Sequence, residues 1–349
     1  MSTIFFTGYP GFLGAELLPR LLARSPEIRV RCLVQEKFAP LARERAAAFG
    51  SRVEIVEGDI TRPITARRDD VTEVWHLAAV YDLMVKQDVG LLVNVAGTRS
   101  VLDFAASCPR LERFHYVSTC YVSGRHPGHF EESHLDVGQS FNNYYEETKF
   151  LAEVLVQERM RGGMPVTVYR PSVVVGDSVT GATQKYDGPY VIIQWLLRQP
   201  SIAVLPVVGN PHQYRFNMVP RDLMVRAIDH LSASDSSKGK VYQIADPEPL
   251  TVHEIIDVMA EVTRRKVIRL PLTKGIARFL LRHVPGVQAV MRIPPAAVDY
   301  FVHPTSYGTT NTLADLAGSG IVIPRVRDYA HRLVDFMKKH PEVGSKAMT

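Results

Sequence analysis

Residues 7–14 read Thr-Gly-Tyr-Pro-Gly-Phe-Leu-Gly, with a glycine at every third position. The apolar stretch Ile4–Phe6 precedes them and helical periodicity begins at Gly14, so we predict a link between the first strand and the first helix. Gly8 permits a tight turn, Gly11 lets the backbone approach a pyrophosphate, and Gly14 lets the helix pack closely on the strand. The helix N-terminus would offer free N–H groups to the phosphates. The predicted dinucleotide-binding turn comprises Thr7, Gly8, Tyr9, Gly11, Phe12, Leu13 and Gly14.

Short apolar stretches alternate with helical patterns over much of the chain. The predicted strands are Ile4–Phe6, Val30–Val34, Val53–Val56, Val74–Ala78, Phe114–Ser118, Val166–Arg170 and Val241–Ile244, and the predicted helices are Gly14–Ala23, Leu41–Phe49, Leu91–Cys108, Tyr145–Arg161, Val219–Leu231, Thr251–Thr263 and Tyr329–Lys339. Strands separated by helices indicate a parallel sheet that is covered on both faces. We therefore predict an α/β fold, a doubly wound parallel sheet of Rossmann type with a smaller, discontinuous substrate-binding cap. The predicted core is residues 1–172 and 216–247, and the predicted cap is residues 173–215 and 248–349.

The residue that follows the second predicted strand indicates which nicotinamide dinucleotide binds. In NAD-binding folds of this kind, an acidic residue there accepts hydrogen bonds from the ribose hydroxyls. This chain has Gln35 at that position, with Arg31 and Lys37 close in sequence and Glu36 beside it. The missing acid favours NADP(H), and NAD(H) remains the alternative.

Two further turns at strand ends are predicted to approach the cofactor. Asp59 and Ile60 follow the third strand, where the carboxylate could accept a hydrogen bond from the adenine amino group or could cap a turn. Ala78 and Ala79 end the fourth strand, and their small side chains suit a close approach of the cofactor to the backbone.

Tyr145 and Lys149 are four residues apart on a predicted helix, which places both side chains on one face. A phenol has a pKa of about 10 and is a poor acid or base near neutral pH, but a nearby ammonium lowers that pKa. Tyr145 could then exchange a proton with a carbonyl or alcohol oxygen. A strand precedes this helix and ends at Ser118 and Thr119, where a hydroxyl could hold the substrate oxygen. This placement favours a catalytic centre over an exposed helix face, which is the ordinary explanation of a Tyr-x-x-x-Lys spacing.

The order and spacing of these motifs resemble those of extended short-chain dehydrogenases. The motifs are Thr7–Gly14, Gly58-Asp59, His76-Leu77-Ala78-Ala79, Asn94, Val117–Val122, Tyr145-x-x-x-Lys149 and Arg170-Pro171-Ser172. The resemblance implies that Tyr145 is the proton donor and acceptor, that Lys149 holds the nicotinamide ribose, and that Thr119, five residues before Gly124, orients the substrate oxygen. The cofactor contacts that we expect outside the glycine turn are Gln35, Asp59, Ile60, Ala78, Ala79, Asn94, Lys149, Arg170, Pro171, Ser172 and Val173.

A narrower resemblance is to the branch that contains fatty acyl-CoA reductases and thioester reductases. It rests on the segments Val117–Val122, Arg170–Ser178, Thr180-Gly181 and Phe216–Pro220. This resemblance implies hydride transfer to the carbonyl of a lipid-like or CoA-linked small molecule. The substrate would be an acyl thioester, a long-chain aldehyde or a ketone.

Two other functions fit parts of the pattern. A nucleotide-sugar epimerase or dehydratase with tightly held NAD shares the scaffold. A dehydratase, however, needs an acid–base pair beside the tyrosine segment, and the run from Ser118 to Tyr121 offers none. A non-catalytic dinucleotide-sensing protein often lacks the tyrosine or the lysine, whereas Tyr145 and Lys149 are both present.

Composition narrows the partners and the compartment. The formal net charge of +5 is spread along the chain, which suits anionic small molecules or an anionic membrane and is too dilute for nucleic acid. Cys32, Cys108 and Cys120 lie far apart, in neither a metal-binding nor a disulfide pattern, so we expect a cytoplasmic protein without a metal site.

A basic stripe is predicted on a cap helix, because Lys274, Arg278 and Arg282 recur at four-residue spacing. The neighbouring apolar residues are Ile276, Ala277, Phe279, Leu280 and Leu281, followed later by Met291 and Ile293. The stripe could receive a CoA phosphate or rest on an anionic bilayer, and a solvated helix packed on the core is the alternative. Peripheral membrane contact and a homodimer both stay open.

Overall fold

A computed structural model describes residues 2–273, 275, 276, 279, 283 and 297–344. The strands are β1 (Ser2–Thr7), β2 (Ile28–Val34), β3 (Val53–Glu57), β4 (Val71–His76), β5 (Arg113–Val117), β6 (Gly128–Phe130), β7 (Val166–Pro171), β8 (Val173–Val175), β9 (Ile202–Val208), β10 (Met218–Pro220), β11 (Val241–Ile244), β12 (Lys266–Leu272) and β13 (Thr305–Tyr307). The helices are α1 (Gly14–Ala23), α2 (Ala39–Ala46), α3 (Gln87–Ala106), α4 (Tyr144–Arg161), α5 (Tyr190–Leu197), α6 (Arg221–Ala233), α7 (Val252–Thr263), α8 (Ala297–Tyr300), α9 (Thr310–Leu316) and α10 (Val326–Lys339).

Seven strands form one parallel sheet in the order β11-β7-β5-β4-β1-β2-β3. Successive side chains of a strand point to opposite faces, and both faces are covered here. Ile4 and Phe6 belong to a core that includes α1 and α6, whereas Phe5 belongs to a second core that includes α3 and α4. The doubly wound α/β sheet predicted from the sequence is therefore confirmed.

The strand order reverses beside β1, because β2 lies on one side of it and β4 on the other. A crevice opens at such a point, where the connections from the two strands diverge. The glycine turn lies there, and its closeness to the strand depends on Gly14. A Cβ atom added at Gly14 would lie 2.5 Å from the Gly8 carbonyl oxygen and 3.2 Å from Phe6 Cε1.

Helix α3 begins at Gln87, one turn earlier than the predicted start at Leu91, and contains a π-helical segment, Leu91–Ala96. It packs closely on its neighbours, since a Cβ at Gly97 would lie 2.7 Å from Ile60 Cδ1. Of the helices in the described part of the chain, α3 is the one whose length and apolar composition would allow it to cross a membrane. Here it forms one layer of the sandwich against α4.

A third apolar core joins α5, α7 and α10 with strand β9. Strands β9 and β12 pair in parallel beside these helices. The sequence showed few clear elements between residues 171 and 215, where the structure has β8, α5 and β9. The division into core and cap stays a prediction. Within the predicted cap segment, α9 packs on β11 and α6, and its Leu316 joins the core around α1.

The predicted basic stripe falls largely outside the described residues. Lys274, Arg278 and Arg282 lie outside them, as do Ala277, Leu280, Leu281, Met291 and Ile293. Ile276 and Phe279 are described, and both side chains are exposed.

We expect Gly14→Ala to lower the free energy of unfolding by about 1–3 kcal/mol, because the added methyl group would overlap the Gly8 carbonyl oxygen. This penalty should outweigh the gain in helix propensity of about 1 kcal/mol. Gly162→Ala is the control, since its Cβ would meet no atom closer than 3.4 Å. Urea unfolding followed by circular dichroism measures both, and equal stabilities would contradict the close packing inferred at Gly14.

Candidate active site

A cleft of about 1460 Å³ opens at the carboxyl ends of the parallel strands. Its core side consists of the glycine turn and the residues that follow β2, β3, β4, β5 and β7. Its other side consists of residues 183–188, parts of α5 and the chain around residues 337–344. Ligands of open parallel sheets bind in this position, so the cleft is the candidate active site.

The glycine turn lines the cleft wall, and at Gly8 and Gly11 only backbone atoms face a ligand. Gly8 has a φ of +97°, and a Cβ there would lie 2.8 Å from the Leu77 carbonyl carbon. A Cβ at Gly11 would lie 2.8 Å from the Gly8 oxygen. Because a side chain would fill the space at both positions, the turn fits the close approach of a pyrophosphate. The predicted residues Gly8, Tyr9, Gly11, Phe12, Leu13 and Gly14 all line the cleft.

Gln35 and Asp59 meet at the adenosine end that the sequence predicted. Gln35 Nε2 donates to Asp59 Oδ2 at 2.8 Å, and Asp59 Oδ1 accepts from the Thr61 amide at 2.8 Å and from its hydroxyl at 2.9 Å. Burial raises the pKa of Asp59, but these hydrogen bonds outweigh it and the net pKa is lowered. The Asp59 carboxylate is therefore charged, and it lines the cleft together with Gln35 and Ile60.

The arginine at this end of the cleft differs from the one that the sequence suggested. Arg31 is buried and bonded to Glu54 and Asp70, so it does not line the cleft. Arg45 of α2 does line it, and its Nη1 donates to the Pro10 carbonyl oxygen at 3.1 Å. Sequence reasoning missed Arg45, which lies ten positions beyond Gln35.

Tyr145 and Thr119 both line the cleft wall. Both are buried, with 7% and 5% of their surfaces exposed. Burial raises the pKa of the Tyr145 phenol above its ordinary value, and the nearby Thr119 hydroxyl opposes the rise. Ser118 is already engaged, because its hydroxyl donates to the buried Glu153. The neighbouring Tyr144 is exposed.

Lys149 lies behind the wall rather than on it. Its ammonium donates to the Tyr116 hydroxyl and to the Val117 carbonyl oxygen, both at 2.9 Å. Burial lowers the pKa of Lys149 to about 7. Lys149 thus holds the end of β5, next to Thr119, and its ammonium has two partners other than Tyr145.

Thr7 and Asn94, which were predicted to contact the cofactor, instead hold the loop after β4 by hydrogen bonds. The Thr7 hydroxyl bonds to His76 Nδ1 at 2.8 Å and accepts from the Ala78 amide at 3.3 Å. Asn94 Oδ1 accepts from the Val80 amide at 2.9 Å, and its Nδ2 donates to the Thr148 hydroxyl at 3.0 Å. These bonds fix the loop after β4, whose residues Ala78 and Ala79 do line the cleft.

Arg170 does not reach the cleft, contrary to the cofactor contact expected of it. Its guanidinium is wholly buried in an ion pair with Glu153 at 2.6 Å, and Nη2 also donates to the His134 carbonyl oxygen at 2.7 Å. Strand alternation turns Arg170 toward α4. The next residues, Pro171, Ser172 and Val173, line the cleft as predicted.

A polar cluster on the cap side escaped sequence reasoning. Lys185 Nζ lies 2.6 Å from Asp187 Oδ2 and 3.6 Å from the centroid of the Tyr81 ring. Burial and the nearby Asp187 carboxylate raise the pKa of the Tyr81 phenol, and the Tyr81 ring meets the Tyr145 ring edge-on at 5.1 Å. All four residues line the cleft. Lys185 and Asp187 lie in a segment rich in glycine and proline, without a periodicity that could have marked them.

Comparison with known proteins assigns this chain to a family. The family model described as male sterility protein, an NAD-binding family, matches residues 6–228, which is more than half of the chain. The chain belongs to this family. The predicted resemblance to extended short-chain dehydrogenases of the fatty acyl-CoA and thioester reductase branch is thereby confirmed, and with it the class of NAD(P)-dependent oxidoreductases.

The relatives by sequence include longer proteins. A glycine betaine reductase of Emericella nidulans is 30% identical over 288 residues, which make up 73% of this chain and 22% of that protein. An alcohol-forming fatty acyl-CoA reductase of Simmondsia chinensis is 23% identical over 72% of this chain and 66% of its own length. The chain spans about a quarter of the first curated relatives that it matches.

Two solved structures cover almost the whole chain. The terminal R domain of the myxalamid biosynthetic pathway has a TM-score of 0.82 and 25% identity, over 98% of this chain and 91% of that chain. A UDP-glucuronic acid 4-epimerase of Bacillus cereus, solved with NAD, has a TM-score of 0.68 and 18% identity, over 97% and 98% of the two chains. The second likeness shows the fold alone.

The buried Lys149 should make stability depend on pH. In the unfolded chain this lysine keeps its proton up to its ordinary pKa of 10.5, whereas the folded protein releases it near pH 7. Between these values the unfolded state binds more protons, so the wild type should gain stability over Lys149→Met as pH rises, by at most about 1.4 kcal/mol per pH unit. Below pH 7 the difference should be constant.

Urea unfolding at pH 6 to 9.5 measures this difference. Lys339→Met, at an exposed lysine of α10, is the control and should show no such trend. If the difference in free energy of unfolding between the wild type and Lys149→Met does not change with pH, Lys149 stays protonated in the folded protein.

Proposed function

We propose that this chain reduces the carbonyl group of acyl thioesters and of the corresponding aldehydes, with NADPH as the preferred cofactor. The observation that carries the proposal is the position of Tyr145 near Thr119 on the wall of a cleft that begins at the glycine turn. A protonated phenol beside a second hydroxyl can hold and protonate a carbonyl oxygen. The relatives named as reductases of fatty acyl-CoA and of glycine betaine support this chemistry.

The residues of the chain have separate tasks in this proposal. A bound nicotinamide dinucleotide supplies the hydride. Thr119 orients the carbonyl oxygen, and Tyr145 gives it a proton as negative charge develops there. Burial keeps the pKa of Tyr145 high, so the phenol carries the proton that a reduction requires. Lys149 holds the end of β5 from behind the cleft wall, next to Thr119.

The preference for NADPH rests on two cations near the adenosine end of the cleft. Arg45 and Lys37 both line the cleft, and the residue at the predicted ribose position is the neutral Gln35. A 2′-phosphate would be attracted to a guanidinium and an ammonium at this place. We propose that the Asp59 carboxylate, which accepts from Gln35, contacts the adenine.

An acyl chain fits the apolar part of the cap side. The apolar side chains along that part of the cleft are Leu83, Val191, Leu197, Phe301, Met337 and Val343. Each methylene buried against such a surface would contribute about 0.8 kcal/mol to binding. We therefore propose a lipid-like acyl group in preference to a sugar.

Tyr145→Phe should lower turnover of both a thioester and an aldehyde at least 100-fold, because it removes the proton donor and little else. Tyr144→Phe is a matched control in the adjacent position, where the ring is exposed and should leave turnover unchanged. The assay follows NADPH absorbance with octanoyl-CoA and octanal. Full activity of Tyr145→Phe on either substrate would refute the assigned role.

Arg45→Gln should weaken NADPH binding about tenfold or more and change NADH binding little, because only NADPH carries the 2′-phosphate. Arg43→Gln on the same helix is the control, since Arg43 pairs with Glu57 and does not line the cleft. Fluorescence titration with each dinucleotide measures the two constants. If the unmodified protein binds NADH as tightly as NADPH, the proposed preference is wrong.

A further inference from the structure

Lys185 has an unusual setting for a cation inside the cleft. Its side chain is only 16% exposed, although it belongs to a loop, and it lies on the face of the Tyr81 ring. That ring in turn touches the ring of Tyr145. An ammonium is therefore held one aromatic ring away from the proposed proton donor, on the wall that a substrate would contact.

The contacts of the Lys185 ammonium account for two of its three N–H donors. An ammonium has three N–H donors. Within the described part of the chain, one is directed to Asp187 and the Tyr81 face accounts for a second. Lys185 thus joins Asp187 and Tyr81, and Asp187 lies close enough to Tyr81 to raise the pKa of its phenol. The third donor has room to reach a group that enters the cleft.

Reduction of a thioester needs a second proton donor, for the thiolate that leaves, and reduction of an aldehyde does not. Hydride adds to the carbonyl carbon, and the oxygen takes the proton of Tyr145, which gives a hemithioacetal. To form the aldehyde, Tyr145 takes that proton back while the C–S bond breaks and its electron pair leaves on sulfur. The thiolate then needs a proton from a second group, since Tyr145 has only regained its own.

We propose that Lys185 supplies this second proton and acts as the acid for the departing thiol. The inference rests on the proposed thioester reduction. Lys185 donates one N–H proton to the sulfur as the C–S bond breaks, and the resulting amine regains a proton from water. Asp187 holds the ammonium in position, and the Tyr81 ring lies between it and Tyr145.

The electrostatic setting of Lys185 agrees with this task. Burial lowers the pKa of Lys185, and the Asp187 carboxylate raises it part of the way back. A lowered pKa brings the ammonium closer to an alkyl thiol, whose pKa is about 8.5, and so makes it a better donor.

The test compares substrates that need the second proton with substrates that do not. Lys185→Met in the full chain should lower turnover of octanoyl-CoA about 100-fold, which is the low end for loss of an acid catalyst, and should change turnover of octanal less than about twofold. An aryl thioester of octanoate should be reduced almost normally by the variant, because its more acidic thiol leaves without help. Lys238→Met, at an exposed lysine that precedes β11 and does not line the cleft, should affect no substrate.

Lys185→Arg separates proton donation from positioning. Arginine keeps the positive charge and the partner Asp187, but it does not release a proton near neutral pH. It should therefore fail with octanoyl-CoA as Lys185→Met does, while NADPH titration shows intact binding in both variants. Recovery of thioester turnover in Lys185→Arg would overturn the inference and leave Lys185 a positioning role.

Two other outcomes also overturn it. Equal losses with octanoyl-CoA and octanal would show that Lys185 acts before the C–S bond breaks, and unchanged turnover would show that it does not act at all. In both cases the unmodified protein still reduces thioesters, and the proposed function stands. If the unmodified protein reduces octanal but not thioesters, the thioester proposal fails and this inference fails with it.

Discussion

Glu153 is wholly buried where helix α4 meets strands β5 and β7, and three elements depend on its charge. It pairs with Arg170 of β7 and accepts a hydrogen bond from the hydroxyl of Ser118, which follows β5. An unpaired charge at such a depth costs about 3–5 kcal/mol, so the pair allows little freedom to the elements that it joins. These elements carry Tyr145, Thr119 and the cleft residues after Arg170. The candidate site is therefore positioned by an interaction that is not part of it.

Burial has opposite effects on the two ionisable groups of the Tyr-x-x-x-Lys motif. It raises the pKa of Tyr145 and lowers that of Lys149, because a site of low dielectric disfavours either charge. The simple expectation that the ammonium lowers the pKa of the phenol is thus not met in this arrangement, where Lys149 is bonded to β5. A phenol that retains its proton suits reduction, in which the carbonyl oxygen must gain one.

The periodicity of apolar residues and the short motifs at strand ends predicted those parts of the fold that depend on residues close together in sequence. The parallel strands, the glycine turn and the placement of Tyr145 and Thr119 follow from periodicity and from the position of motifs at strand ends. The charged residues were predicted less well. Arg31 and Arg170 point away from the cleft, while Arg45 points into it, because strand and helix faces decide where a side chain goes. Sequence distance from a motif does not carry that information.

The cap side of the cleft depends on contacts between distant parts of the chain, which explains why Lys185 and Asp187 could not be found from the sequence. Tyr186, between them, donates its hydroxyl to the His340 carbonyl oxygen at 2.8 Å and its amide to the Gly344 oxygen at 2.9 Å. The loop is therefore held by the chain that follows α10, more than 150 positions later. The glycine turn directly follows β1, and Tyr145 lies in the first turn of α4, so elements of the sheet core position both. Changes in the loop around Lys185 can therefore alter that side of the cleft, while the side that holds the glycine turn and Tyr145 keeps its geometry.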